Sequence, residues 1–296
     1  MHKKSKKIFS LFLAILMVLS VIDYTPKNAL AVTNPVASDT LSYGLQDDVQ
    51  DGLILHCWDW SFNNIKASMK EIAEAGYSAV QTSPIQEAKE ATKGVANSNW
   101  WVFYQPKSFK IDDSGQSGLG TKAEFEAMCD EAHKYGIKVI VDVVANHTGN
   151  GGANGIANTV IDELKNDSSC YHNYGNFKEI NYGNRYSITH DSMGLLPDLA
   201  TENSKVQNLV LNFLKECIDS GADGFRFDAA KHIGVPSEGD SFWTNTLEKA
   251  KTYAKSSRGI TLYAYGEILD GTGGPAMTEY TSMMSITENQ SSNDLR

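Results

Sequence analysis

Along most of the chain, apolar positions follow two alternating rhythms. Stretches with apolar residues three and four apart end at a glycine, and a short unbroken apolar run follows at once. Ala75-Gly76 leads into Ala79-Val80-Gln81-Thr82, and Tyr135-Gly136 leads into the run from Val139 to Val144. Gly221 precedes the run from Gly224 to Phe227, and Gly259 precedes the run from Thr261 to Gly266. The wider spacing predicts helices with one apolar face, and the runs have strand length. A glycine just past a helix supplies the left-handed backbone that stops it. Thr121-Lys122-Ala123-Glu124 has the form of a capping box and opens a stripe of Phe125, Met128, Cys129, Ala132 and Tyr135. A second stripe, Val206, Leu209, Val210, Phe213, Leu214, Cys217 and Ile218, is wide enough to face a sheet. With a first strand at Leu53 to Trp58 and a sixth at Ser282 to Ile286, alternating strands and helices predict an α/β fold with a parallel sheet.

Two connections are long, Ser83 to Gly120 and Ala145 to Glu202, and both follow strands. Loops of this length are uncommon without a function, and in a (β/α) barrel the loops after the strands build the active face. The second is long enough for a small subdomain. Its Gly149, Gly151, Gly152 and Gly155 are no phosphate cradle, because no Gly-Lys-Ser/Thr follows them. The expected organisation is a leader at 1–31, a linker at 32–50, a first barrel part at 51–147, an inserted subdomain at 148–197 and a second barrel part at 198–296.

The leader is a different kind of sequence. Lys3, Lys4, Lys6 and Lys7, an apolar run from Ile8 to Ile22 and the ending Ala29-Leu30-Ala31 fit a secretory signal peptide cleaved after Ala31. A membrane anchor is the alternative, but the run is shorter than the roughly 20 residues a spanning helix needs. The expectation is a secreted protein with no membrane association after cleavage. Five lysines and one aspartate leave with the leader, so the net charge of −10 becomes −14. Such a surface repels phosphate backbones and argues against nucleic acid, while an aromatic content of 10% suits stacking on sugars. Cys57, Cys129, Cys170 and Cys217 lack the paired spacing of a zinc site. Export permits disulfides, but Cys57, Cys129 and Cys217 fall in apolar runs where buried free thiols are expected.

Gly224-Phe225-Arg226-Phe227-Asp228 introduces chemistry. Side chains alternate faces along a strand, so Phe225 and Phe227 bury against helices while Arg226 and Asp228 point together the other way. Buried charges are costly unless paired and hydrogen-bonded, so this pair marks a structural ion pair or an active site. Polar side chains stand at three strand ends: Asp142 with Asn146 and His147, Arg226 and Asp228 with Lys231 and His232, and Glu267. They converge only if the strands are parallel. Asp228 and Glu267 would then top successive strands, as the two carboxyls of a retaining glycosidase do at a separation of roughly 5 Å.

Four separated blocks, in order and spacing, resemble the α-amylase family of retaining glycoside hydrolases from about Asp51 onward. They are Asn99-Trp100-Trp101-Val102-Phe103-Tyr104-Gln105-Pro106, Asp142-Val143-Val144-Ala145-Asn146-His147, Leu196-Pro197-Asp198-Leu199, and Gly224 to His232, followed by Gly266-Glu267-Ile268-Leu269. The resemblance implies a (β/α)8 TIM-barrel fold with a subdomain inserted after strand 3. It implies Asp228 as nucleophile and Glu267 as general acid and base. Arg226 would bridge to Asp142, lowering the pKa of Asp228 and keeping it ionised, while a largely apolar setting would favour the protonated form of Glu267. His147 would hydrogen-bond the sugar at the cleavage point and Tyr104 would stack on it. Trp100, Trp101 and Gln105 would line the donor side, and Lys231 the leaving-group side. Either tryptophan could instead be core. A calcium ion is implied, held by the side chains of Asn146 and Asp198 and the backbone carbonyl of His232, with a further ligand near Thr189 or His190. Oxygen donors suit that ion.

The implied function is secreted, endo-acting hydrolysis of α-1,4 bonds in starch-like α-glucans by a monomer. A transglycosylase, an α-1,6-acting hydrolase and a non-catalytic glucan-binding protein are the rivals. The family also uses an aspartate at the end of a seventh strand, for which Asp294 is a poor substitute, and about six of the eight barrel units are legible. The chain therefore reads as C-terminally truncated, with open sheet edges that invite aggregation. The expected outcome is little or no release of reducing ends from soluble starch by the purified chain; robust turnover dependent on Asp228 would contradict it.

Overall fold

The alternation of glycine-stopped helices and apolar runs builds a parallel sheet in the computed structural model, which describes residues 43–91, 99–152, 155–269 and 277–288. The leader at 1–31, the start of the expected linker and Asp294 lie outside the described residues. β1 (Ile54–Cys57) is followed by α1 (Phe62–Ala67) and α2 (Met69–Glu74), then β2 (Ala79–Thr82). β3 (Gln86–Ala88), β4 (Pro106–Ile111) and α3 (Lys122–Lys134) lead to β5 (Lys138–Val143). The insertion carries α4 (Asp162–Lys165) and α5 (Arg185–His190), and α6 (Ser204–Asp219) returns to β6 (Gly224–Phe227). α7 (Phe242–Asn245), α8 (Leu247–Arg258), β7 (Tyr263–Gly266), α9 (Met277–Met283) and β8 (Ser285–Ile286) complete the order.

The main sheet has six strands in the order β1-β2-β5-β6-β7-β8, every neighbouring pair parallel. This is an incomplete (β/α)8 barrel. Its register puts Asp142, Arg226 and Tyr265 on one rung. Val139, Val141, Val143, Phe225 and Phe227 bury on the outer face in the same core as Phe125, Val210 and Phe213 of the helices. Ala79 and Ile140 pack on the inner face with Val49, flanked by Ile54, Tyr263 and Tyr265. Period-two alternation thus assigns apolar residues to both faces at the base, and polar residues to the inner face only near the C-terminal ends.

The joints are as expected, with Gly76, Gly136, Gly221 and Gly259 all at positive φ, and Thr121 and Glu124 form the reciprocal capping box. Two features differ from the sequence reading. The connection from Ser83 to Gly120 contains the antiparallel pair β3–β4, which a three-residue strand centred on Glu87 could not signal by apolar content. Residues 43–50 are no free linker: Val49 is buried in the inner cluster and Tyr43 packs on Tyr135 with ring centroids 5.6 Å apart. The ends of the insertion are drawn together at the top of β5 by bridges between His147 and Asp198 and between Tyr171 and Leu199.

All four cysteines are buried and free, and burial pushes the Cys57 thiol up to about 12, which makes it unreactive. No helix among the described residues is long and apolar enough to cross a membrane. Phe227 is fully buried, edge-on to Trp243 at 5.1 Å. Phe227→Ala should therefore cost about 3–5 kcal/mol and Thr121→Ala about 1 kcal/mol, both measured as losses of unfolding free energy in urea.

Candidate active site

The chain positions the site by ending three neighbouring strands in charged residues. Arg226, the third residue of β6, lies on the inner face with its guanidinium at the centre of three carboxyl groups. Nη1 donates to Asp142 Oδ1 at 2.7 Å, to Asp142 Oδ2 at 2.8 Å and to Asp228 Oδ1 at 2.9 Å, and Nη2 lies 2.9 Å from Glu267 Oε1. Tyr104 donates its hydroxyl to Asp142 Oδ2 at 2.8 Å. One guanidinium serves three acids, so negative charge is undercompensated in a buried place.

The proton affinities follow from that imbalance. Asp228 is pushed up to about 7, first by burial, with Asp142 and Glu267 adding and Arg226 opposing. Asp142 is raised as well, again by burial first and against Arg226. Arg226 lowers the Asp228 pKa as expected, but desolvation and two neighbouring carboxylates outweigh that one shared cation, so the net shift is upward. The surroundings of Glu267 are not apolar either. Besides Arg226, its Oε2 accepts from the Ala229 amide at 3.1 Å. Ala229 has φ +50°, a left-handed conformation that only an over-determined site keeps in a residue with a Cβ, and it turns the amide after Asp228 toward Glu267.

Around the carboxylates stands an aromatic wall. Trp100 is 49% exposed and Trp101 half-buried, so Trp100 is not core. Tyr104 lies edge-on to Trp100 and stacks on Trp58, both at 5.9 Å. Trp58, at the end of β1, was legible only as the last residue of an apolar run, yet it is 41% exposed on this face. Gln105 accepts from the Asn150 amide at 3.2 Å. His147 sits behind the wall, buried, with Nε2 donating to the Tyr104 carbonyl at 2.9 Å; burial pushes it down to about 4. In this structure it buttresses Tyr104 instead of opening toward a ligand. Lys231 donates to the Leu269 carbonyl at 2.7 Å and lies 5.3 Å from the centre of the Tyr182 ring. Tyr182, exposed in the insertion, gave no sequence signal beyond the abundance of tyrosine there.

Two of the residues expected to hold a cation, Asn146 and Asp198, come together at the root of the insertion. Asn146 Nδ2 donates to Asp198 Oδ1 at 3.1 Å, while Asn146 Oδ1 is buried without a hydrogen-bond partner. An orphaned amide oxygen beside a buried carboxylate is a donor set for a hard cation. Asp198 Oδ2 meets His172 Nδ1 at 2.7 Å, and His172 Nε2 meets Glu202 at 3.0 Å. Burial raises the Asp198 carboxyl to about 7. His232 lies on the turn after β6, its Nδ1 donating to the Ile188 carbonyl at 2.9 Å.

Comparison with known proteins decides the family. A family model described as the alpha amylase catalytic domain matches residues 62–259, about two thirds of the chain. The chain belongs to the alpha-amylase family. An alpha-amylase of Clostridium acetobutylicum is 37% identical over an alignment covering all of this chain and 38% of the relative. One from Butyrivibrio fibrisolvens is 38% identical over 77% of this chain and 24% of the relative. The chain thus spans less than half the length of these relatives. Among solved structures, alpha-amylase I of Eisenia fetida aligns with a TM-score of 0.67 at 24% identity, over 82% of this chain and 50% of that one. At this identity the likeness establishes the barrel fold alone.

A carboxyl raised above its unfolded value contributes stability that is fully present below that value and lost as pH rises through the folded one. For Asp228 the loss runs from about pH 4 to beyond 7. The melting temperature should fall by several degrees between pH 5 and pH 8, and by less in Asp228→Asn, which should melt above the parent at pH 8.

Proposed function

We propose that this chain carries the nucleophile and the acid–base residue of a secreted, endo-acting α-1,4-glucan hydrolase working with retention. The observation that carries the reading is the shared guanidinium. Arg226 binds Asp228 and Glu267, which end successive strands, so both carboxyls face one point above the sheet. Arg226, paired with Asp142 and Asp228, opposes the rise in their proton affinity and favours the anionic form of Asp228 that reacts. An Asp228 oxygen then attacks the anomeric carbon while Glu267 passes its proton to the departing glycosidic oxygen. The glycosyl ester formed is cleaved when Glu267, now anionic, takes a proton from water whose oxygen adds to the same carbon and releases Asp228.

Tyr104 and Trp100 offer ring faces to sugars on the donor side, with Trp101 and Gln105 beside them, and Lys231 with Tyr182 borders the acceptor side. His147 supports Tyr104 through its carbonyl. Calcium would be held by Asn146 Oδ1, the Asp198 carboxylate and the His232 carbonyl, where its charge supplies cross-linking of the insertion to the barrel. Export is supported by the charged, apolar and small-residue sequence of residues 1–31. Partners are α-glucan chains, taken up by a monomer.

Incubation with 5-fluoro-α-D-glucosyl fluoride, whose leaving group needs no acid, tests the nucleophile directly. A fluoroglucosyl mass increment is expected on the peptide containing Asp228, absent in Asp228→Asn and longer-lived in Glu267→Gln, which lacks the base for hydrolysis. Labelling elsewhere, or labelling that persists in Asp228→Asn, would refute the assignment.

A further inference from the structure

A second guanidinium organises the turn that follows the nucleophile. Arg185 opens α5 in the insertion, and its Nε and Nη2 form a two-pronged pair with Glu238 at 2.7 Å each. Nη1 donates to the Lys231 carbonyl at 2.6 Å, and Nη2 also reaches the Tyr280 hydroxyl at 3.0 Å. That hydroxyl donates in turn to the Ile233 carbonyl. The carbonyls on both sides of His232 are thereby tied to one assembly, and the His232 ring is tied to Ile188 of the same helix as Arg185. With Arg185 only 14% and Glu238 27% exposed, the pair is not the solvent-screened kind that contributes little.

The turn needs such support. It begins at Ala229 with a left-handed backbone, which is unfavourable for a residue with a Cβ and persists only where surroundings hold it. Lysine could not replace the clamp, because an ammonium has no planar fork with which to hold a carboxylate and a carbonyl at fixed angles.

We propose that Arg185 is a positioning residue for the calcium site, fixing the turn so that the His232 carbonyl meets the side chains of Asn146 and Asp198. This rests on the calcium reading above. Outer contacts of this kind are worth about 10–100-fold in metal affinity. Calcium titrated into the chelator-stripped protein, followed by calorimetry and by the calcium-induced rise in melting temperature, gives the readout. Arg185→Lys and Arg185→Gln should bind calcium about 10–100-fold more weakly, with a correspondingly smaller rise in melting temperature. Glu238→Gln, which leaves the guanidinium in place but loosens its fork, should lose less. Parental calcium affinity in the Arg185 variants would overturn the inference, whatever their melting temperature without calcium; if those variants do not fold, parental affinity in Glu238→Gln does the same. Failure of the parent itself to bind calcium would instead remove the calcium reading and the inference with it.

Discussion

A single guanidinium shared by three carboxyl groups at the end of a parallel sheet is the constraint on which the rest of the structure depends. Arg226 lies inside the curve of the sheet, where desolvation would make either charge sign expensive alone. The register that aligns Asp142 with Arg226, the left-handed turn that presents the Ala229 amide to Glu267 and the Tyr104 hydroxyl on Asp142 all serve to satisfy that cluster. The compensation is partial, so protons are held more tightly at Asp142 and Asp228 than in water.

The same economy links the cluster to the insertion. His147 and Asp198 bridge the top of β5 to the end of the insertion, while Arg185 and Ile188 grip the turn after β6 from the other side. Two strand ends that carry site residues are therefore cross-braced by one irregular segment. This segment packs Val160, Leu164, Tyr171 and Phe177 into the main core, and directed polar contacts add to that packing.

How much of this was legible follows from the range of each interaction. Helix stops at Gly76, Gly136, Gly221 and Gly259, the cap at Thr121 and the two-faced strand around Arg226 are set by neighbours within a turn or a rung, so the pattern of residues announced them. The β3–β4 pair was hidden because its short strands owe their state to each other. Trp58, Tyr182 and Arg185 were hidden because nothing near them in the chain distinguishes an exposed ring or a clamping arginine from an ordinary one.

By itself, then, the sequence determined the parallel alternation, the charged strand ends and the family blocks, all carried by local periodicity and spacing. Only the tertiary structure decided how charge is shared. Asp228 sits beside two other carboxyls and is raised instead of lowered, Glu267 is paired instead of apolar, and His147 supports Tyr104 from behind. Those outcomes depend on distances between residues far apart in the chain and on how completely water is excluded from between them, and electrostatic energy in a buried site is governed by both.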